Sequence, residues 1–158
     1  MKKTIIYTYE ELASSSELSA EDQELFSRAS AAVKEAQAQF SHFQVGTAAR
    51  LMDGSIVTSS NFENTSMLHC AEQNLLLHLH SMYPAFTIKS IAVTYKNMND
   101  GTDSTMPITP CGKCRQLLLE AEISVGSPMR VIMGSDNGKI WVADGVQSML
   151  PLAYSGYI

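Results

Sequence analysis

Residues 110–116 of the chain are Pro110-Cys111-Gly112-Lys113-Cys114-Arg115-Gln116, and a second short stretch, Cys70-Ala71-Glu72, stands 41 positions (111 minus 70) before Cys111. Apolar residues, among them Leu75 and Leu79, follow the first stretch at helical spacing, and the second is followed by Leu117, Leu118 and Leu119. This pattern predicts one helix from about Cys70 to Ser81 and another from Gly112 to about Ala121. If the two helices enter the fold side by side, their first turns bring the three cysteines together.

Periodicity outside these stretches predicts the other elements. An apolar stripe, opened by a capping pattern at Ser19 and Asp22, predicts a helix from about Ala20 to Ala36. β-branched or alternating segments predict five strands: Phe43–Leu51, Ile56–Ser60, Ile88–Tyr95, Met129–Met133 and Lys139–Ala143. Polar residues from Asn97 to Thr109 predict a surface loop. Helices alternating with strands predict a layered α/β domain.

The composition sets limits on organisation and partners. The chain has 158 residues, 45% hydrophobic and 17% charged, without a linker-like stretch, so we expect residues 1–158 to form a single domain. Eleven Lys and Arg against 16 Asp and Glu give a net charge of −5, which disfavours nucleic acid as a partner. We expect neither a signal peptide nor a membrane span, and therefore a cytoplasmic protein.

Three cysteines, two of them in Cys-x-x-Cys, favour a metal site over a disulfide framework. Cys70, Cys111 and Cys114 would bind one tetrahedral Zn²⁺ and leave its fourth position to water, the arrangement of catalytic zinc. Glu72 is the nearest carboxylate to carry protons. Spacing alone leaves alternatives open, namely three buried small side chains, an ordinary first-turn acid at position 72, and a ligand role for His69.

The two stretches closely resemble the zinc motif of the cytidine deaminases. Further segments resemble the same family in the same order: Ser41-His42-Phe43-Gln44-Val45-Gly46, Asn61-Phe62-Glu63-Asn64, and Leu150-Pro151 followed by Tyr154. The matches run from about Phe40 to Tyr154. The resemblance implies a three-layer α/β/α cytidine deaminase-like fold with a five-stranded mixed sheet.

The resemblance also implies an activity: hydrolytic deamination of cytidine and deoxycytidine to uridine and deoxyuridine, with release of ammonia, in pyrimidine salvage. Zinc would supply the hydroxide that attacks C4, while catalytic Glu72 would pass a proton to N3 and then to the departing amine. The substrate-binding residues implied are Phe43, Asn61, Glu63, Ala71, Thr109 and Tyr154. Since the family's C-terminal aromatic completes a neighbour's pocket, Tyr154 implies a homotetramer, with a dimer as the alternative.

The chain departs from the family pattern beside the site. Three thiolates and Zn²⁺ sum to −1, and the Arg that usually follows the glutamate is Gln73 here. We hypothesise that Arg115 and the helix dipoles balance this charge. Met67-Leu68-His69 replaces the family's usual Tyr-Pro. The preference between cytidine and deoxycytidine therefore stays open. Another small aminated substrate, such as blasticidin S, a deoxynucleotide or a purine, is also left open by the sequence. A third alternative is a zinc-stabilised binding module without catalysis.

Overall fold

The computed structural model describes residues 1–83, 85–99 and 105–154, so part of the predicted loop at 97–109 lies outside the described residues. The helices are α1 (Ala20–Val33), α2 (Ala71–Met82) and α3 (Gly112–Val125). The strands are β1 (Glu10–Leu12), β2 (Phe43–Leu51), β3 (Ile56–Ser60), β4 (Phe62–Glu63), β5 (Leu68–His69), β6 (Ile88–Asn97), β7 (Arg130–Gly134) and β8 (Ile140–Asp144). Within these ranges, no helix is both long enough and apolar enough to cross a membrane.

The main sheet has the strand order β1-β8-β7-β6-β2-β3. β6 and β7 are parallel and the other neighbours are antiparallel, which confirms the predicted mixed sheet. The predicted number of five strands is wrong, because Glu10–Leu12 adds a sixth at the edge. Two acidic residues in a three-residue strand carry no apolar alternation. This strand is held instead by its pairing with β8. Glu11 also accepts hydrogen bonds from Lys139 Nζ, just before β8, at 2.6 Å and from Trp141 Nε1 of β8 at 2.8 Å.

The side chains of the sheet alternate between two cores, as the pleat of a strand requires. On one face α1 contributes Leu25, Phe26 and Ala29, which pack with Ala48, Ala92 and Ile132. On the other face α2 and α3 contribute Leu75, Leu79, Leu118 and Leu119, which pack with Ala49, Ile91, Val93 and Val131. Helices therefore cover both faces, which confirms the three-layer α/β/α architecture.

Gly46 allows α1 to lie directly on β2. A Cβ at this position would stand 2.3 Å from the carbonyl oxygen of Ala29 and 2.6 Å from the backbone nitrogen of Val33. Since both atoms belong to the backbone of a packed helix, neither moves aside cheaply. The contact fixes β2, whose first residues lie at the candidate site.

A small two-stranded sheet, which the sequence patterns did not predict, stands apart from the main one. β4 pairs with β5 in antiparallel register, with Phe62 opposite His69 and Glu63 opposite Leu68. Because β5 ends directly before Cys70, this pairing brings residues 61–63 to the start of α2.

α3 is longer than predicted and ends at Gly126, which adopts a left-handed conformation at φ 72°. The buried Glu122 carboxylate lies in the added turn. It accepts hydrogen bonds from the backbone N–H groups of Met129 at 2.8 Å, Val146 at 2.7 Å and Gln147 at 3.2 Å. These bonds tie the end of α3 to the chain around β7 and β8.

Candidate active site and metal centre

The first turns of α2 and α3 carry the three cysteines. Cys70 caps α2 and Cys111 caps α3, each with an extended backbone, while Cys114 lies buried in the first turn of α3. Their Sγ atoms all lie within 4.8 Å of one another, and those of Cys70 and Cys111 are 3.7 Å apart. The structure thus brings together three sulfurs that are far apart in sequence.

This cluster fits a tetrahedral metal ion. Two sulfurs bound at about 2.3 Å in tetrahedral geometry stand about 3.8 Å apart, close to the separation of Cys70 and Cys111. Within the described residues the group has these three members, so a tetrahedral ion held by them would have one position open to solvent. The donor set suits a soft or borderline divalent ion such as zinc.

Two of the thiols, those of Cys70 and Cys114, differ in pKa because they interact with each other. A hydrogen bond from the Cys114 thiol lowers the pKa of Cys70 to about 5, against the opposing effect of burial. The same bond raises the pKa of Cys114, because loss of its proton would break the bond. Cys70 therefore offers a thiolate at neutral pH, the form that binds metals.

Glu72 lies in the first turn of α2 with only 4% of its surface exposed. Burial raises the pKa of its carboxyl; a hydrogen bond from its own backbone N–H acts against this, and the negative charge of Cys70 raises the pKa further. The Cys114 thiol lowers the pKa of this carboxyl. Although residues 70 and 72 point to different sides of a regular helix, the carboxyl is close enough for both Cys70 and Cys114 to affect its pKa.

Phe43 begins β2 and stacks on Tyr95 of β6, with ring centroids 5.0 Å apart and an angle of 17° between the planes. The preceding residue, His42, has a φ of 55°, a left-handed conformation that is uncommon for a side-chain-bearing residue. On either side of this turn, Ser41 hydrogen-bonds Glu63 and Phe43 stacks on Tyr95.

Asn61 is buried, and its amide holds the start of β2. Its Oδ1 accepts from the Val45 N–H at 2.8 Å, and its Nδ2 donates to the Phe43 carbonyl at 2.9 Å. Each end of an amide can make about one more hydrogen bond. Asn61 therefore positions β2 and still has one donor and one acceptor for a ligand.

Glu63 is also buried, and its carboxylate is held by the turn before β2. Oε2 accepts from the N–H groups of Phe40 at 3.1 Å and Ser41 at 3.0 Å, and Oε1 accepts from Ser41 Oγ at 2.5 Å. The Ser41 hydroxyl, followed by its N–H, keeps the pKa of Glu63 below the ordinary value. A cavity of about 530 Å³ lies against Glu63, lined also by Ser66 and Met67.

The remaining predicted contact residues have different environments. Ala71 is fully buried at the start of α2, whereas Thr109 is exposed before α3. The Tyr154 side chain is exposed, and its backbone N–H and carbonyl bond the Gln116 amide at 3.1 and 2.9 Å. With Leu119 and others, Tyr154 lines a cavity of about 320 Å³ along α3.

Arg115 has a structural role in the loop before α3. Its guanidinium donates to the carbonyls of Pro110 at 2.8 Å and Met149 at 3.1 Å, and to Thr109 Oγ1 at 2.6 Å. The sequence had suggested Arg115 as the balance for the thiolate charge. Its acceptors are neutral, so they fix the position of the guanidinium without cancelling its charge.

Sequence reasoning missed several polar residues that hold the site together. Asn74 of α2 donates from Nδ2 to the Ser60 carbonyl at 2.9 Å, and its Oδ1 lies 3.0 Å from His69 Nδ1. Lys113 Nζ donates to Gln73 Oε1 at 2.5 Å. The only sequence signal was their closeness to Cys70, Cys111 and Cys114.

The α/β/α sandwich and a three-sulfur cluster beside a buried carboxylate define the class of protein, an α/β domain whose cysteines could hold a metal ion. The profile of the family described as "Cytidine and deoxycytidylate deaminase zinc-binding region" matches residues 19–127. The chain belongs to this family, as its sequence motifs had suggested.

Individual relatives agree with this assignment. A cytidine deaminase from Halalkalibacterium halodurans is 32% identical over 118 residues, which cover 73% of this chain and 80% of the relative. One from Sporosarcina psychrophila is 33% identical over 135 residues, covering 84% and 90%. The crystal structure of a cytidine deaminase from Burkholderia pseudomallei superposes with a TM-score of 0.69 at 29% identity, covering 83% of this chain and 97% of that one.

Proposed function

We propose that the protein is a zinc-dependent cytidine deaminase, which hydrolyses cytidine and deoxycytidine to uridine and deoxyuridine and releases ammonia. The observation that carries the proposal is the cluster of three cysteine sulfurs within 4.8 Å beside the buried Glu72. In the overall reaction water replaces the 4-amino group, so the C4–N bond breaks and a carbonyl forms at C4.

Cys70, Cys111 and Cys114 would hold the metal. When bound, zinc acts as a Lewis acid that supplies hydroxide near neutral pH. Glu72 would carry the protons, first to ring nitrogen N3 and then to the departing amine. Its burial suits this task, because burial raises the pKa of the carboxyl and general acid–base catalysis favours a pKa closer to the working pH.

The other residues would bind the nucleoside. Phe43 would lie against the base, with its ring already fixed by Tyr95. Asn61 and Glu63 would bind the 3′-hydroxyl, and each retains the hydrogen-bonding capacity for it. Ala71 and Thr109 would contact the pyrimidine edge and the leaving group through their backbones.

We further propose that residues 1–158 form one domain and that four copies assemble, each supplying Tyr154 to a neighbour's pocket. The exposure of the Tyr154 side chain in the single chain supports this arrangement. A cytoplasmic role in pyrimidine salvage is part of the same proposal.

The test combines zinc analysis with deamination assays on the purified protein. Glu72→Gln should keep the metal and the fold but lower turnover of cytidine by roughly 10²–10⁴-fold, since positioned acid–base groups contribute that much. Glu35→Gln, which removes an exposed carboxylate, is the matched control. Normal turnover in Glu72→Gln would refute its role.

A substrate panel separates the alternatives. Stoichiometric zinc without deamination of cytidine, deoxycytidine or any other amine would support a binding module instead. Faster turnover of another aminonucleoside, for example blasticidin S, would support that substrate.

A further inference from the structure

Lys113 and Gln73 join the first turns of the two helices that carry the cysteines. Gln73 is the third residue of α2 and Lys113 the second of α3. Lys113 Nζ donates to Gln73 Oε1 at 2.5 Å, although the two residues are 40 positions apart in sequence. The bond therefore holds an ammonium group between two helix N-termini.

A positive charge at this position is disfavoured by the dipoles of both helices. The N-terminal end of a helix carries a partial positive charge and favours anions, whereas cations are favoured at the C-terminal end. Gln73 does not offset the repulsion, because an amide accepts the hydrogen bond without bringing a negative charge. Lys113 is exposed, and a nearby negative charge would favour its ammonium at this position.

The sulfur cluster and Glu72 provide that charge. Three thiolates on a divalent ion leave a net charge of −1, and an ionised Glu72 makes the total more negative. The Lys113 ammonium interacts favourably with both Cys70 and Glu72. The guanidinium of Arg115 keeps its charge as well, but its hydrogen bonds hold it against Pro110, Thr109 and Met149. The cation among the main causes of the pKa shifts of Cys70 and Glu72 is Lys113.

We propose that Lys113, oriented by the neutral Gln73, is the residue that balances the charge of the three-thiolate metal centre. The inference rests on the proposed zinc site. Lys113 acts through the cysteine ligands and is a positioning residue, not a ligand. Gln73 holds the ammonium in place and leaves its full charge available to the sulfurs.

The test measures zinc affinity by competition with a chelator at low ionic strength, without reference to activity. Lys113→Met should weaken zinc binding on the order of 10-fold, the lower end of the range for residues that support metal ligands. Lys113→Arg should bind zinc nearly as wild type does. Adding Gln73→Lys to Lys113→Met should restore most of the loss, because it returns a positive charge from the opposite helix.

Lys89→Met is the control, since it removes an exposed lysine near the start of β6, where it pairs with Glu21. Its zinc affinity should equal that of wild type. In about 1 M salt, where the screening length falls to about 3 Å, the difference between Lys113→Met and wild type should shrink. A purely structural loss would persist in high salt and would not be rescued by Gln73→Lys.

Equal zinc affinity of Lys113→Met and wild type at low salt would overturn this inference and leave the proposed function intact. The inference would also be overturned, with the proposed function unaffected, if Lys89→Met weakened zinc binding as much as Lys113→Met. A wild-type protein that binds no zinc would overturn the inference and the proposed function together.

Discussion

Replacement of Glu63 by glutamine tests whether this carboxylate binds the sugar. Three of its roughly four lone-pair positions are occupied, both on Oε2 and one on Oε1, so one on Oε1 is left for a hydroxyl. In Glu63→Gln the least costly arrangement keeps oxygen at the Oε2 position, where it accepts two backbone N–H groups. The NH₂ group then replaces Oε1, and the Ser41 hydroxyl can rotate to accept from it. The fold survives, while the acceptor offered to the substrate becomes a donor.

The size of the effect follows from the lost contact. A hydrogen bond to a charged group contributes about 1.5–3 kcal/mol, which corresponds to a decrease of roughly 10- to 150-fold in kcat/KM for cytidine. With 3′-deoxycytidine the hydroxyl is absent and no such bond exists to lose. The same substitution of Glu63 should then change kcat/KM by no more than about 3-fold.

The measurement is steady-state kinetics of the wild type and Glu63→Gln on cytidine and on 3′-deoxycytidine. Thermal unfolding checks that Glu63→Gln remains folded. Equal losses on cytidine and 3′-deoxycytidine would show that Glu63 acts only by holding the turn before β2. Unchanged kcat/KM for cytidine would refute the predicted contact altogether.

Three further substitutions test the scaffold. Hydrogen bonds from Ser41 keep the pKa of Glu63 below its ordinary value of 4.5, so the ionised carboxylate stabilises the folded state above that pH. This stabilisation is lost as the pH falls through the lowered pKa. Ser41→Ala should lower the free energy of unfolding at pH 7 and make it fall less steeply as the pH is lowered. Urea unfolding of both proteins between pH 7 and 3 measures this, and the same pH dependence in both would contradict the prediction. Glu122→Ala leaves three backbone N–H groups without their acceptor and should cost about 3–5 kcal/mol, lowering Tm by roughly 10 °C, whereas the exposed Glu120→Ala should cost little. Arg115→Gln should lower Tm by several degrees. At low salt it should weaken zinc binding less than Lys113→Met does. A larger loss of zinc affinity in Arg115→Gln than in Lys113→Met would identify Arg115 as the charge-balancing residue.

Local sequence patterns were sufficient for the elements that bury a regular face. Leucines after Cys70 and Cys111 predicted α2 and α3, and β-branched or alternating segments predicted the strands of the main sheet except β1. Boundaries were less accurate where a tertiary contact extends an element. α3 continues past Ala121, and Glu122 in the added turn holds backbone groups of three residues from outside the helix.

The motif residues Cys70, Glu72, Cys111 and Cys114 could be chosen from the sequence because together they resemble the zinc motif of the cytidine deaminases, whereas spacing alone had left alternatives open. The distance between α2 and α3 could not be predicted, since no local sequence pattern encodes it. The structure alone supplied the 3.7 Å separation of Cys70 and Cys111.

The sequence by itself determined the family and the candidate reactive groups. Only the tertiary structure decided which polar groups meet. Glu11 stabilises an edge strand through Trp141, 130 positions away, and Gln73 meets Lys113 from a different helix. Such pairs depend on how layers pack rather than on helix or strand periodicity. For that reason the charge balance of the cysteine centre, open in the sequence, became a definite proposal only once α2 and α3 lay side by side.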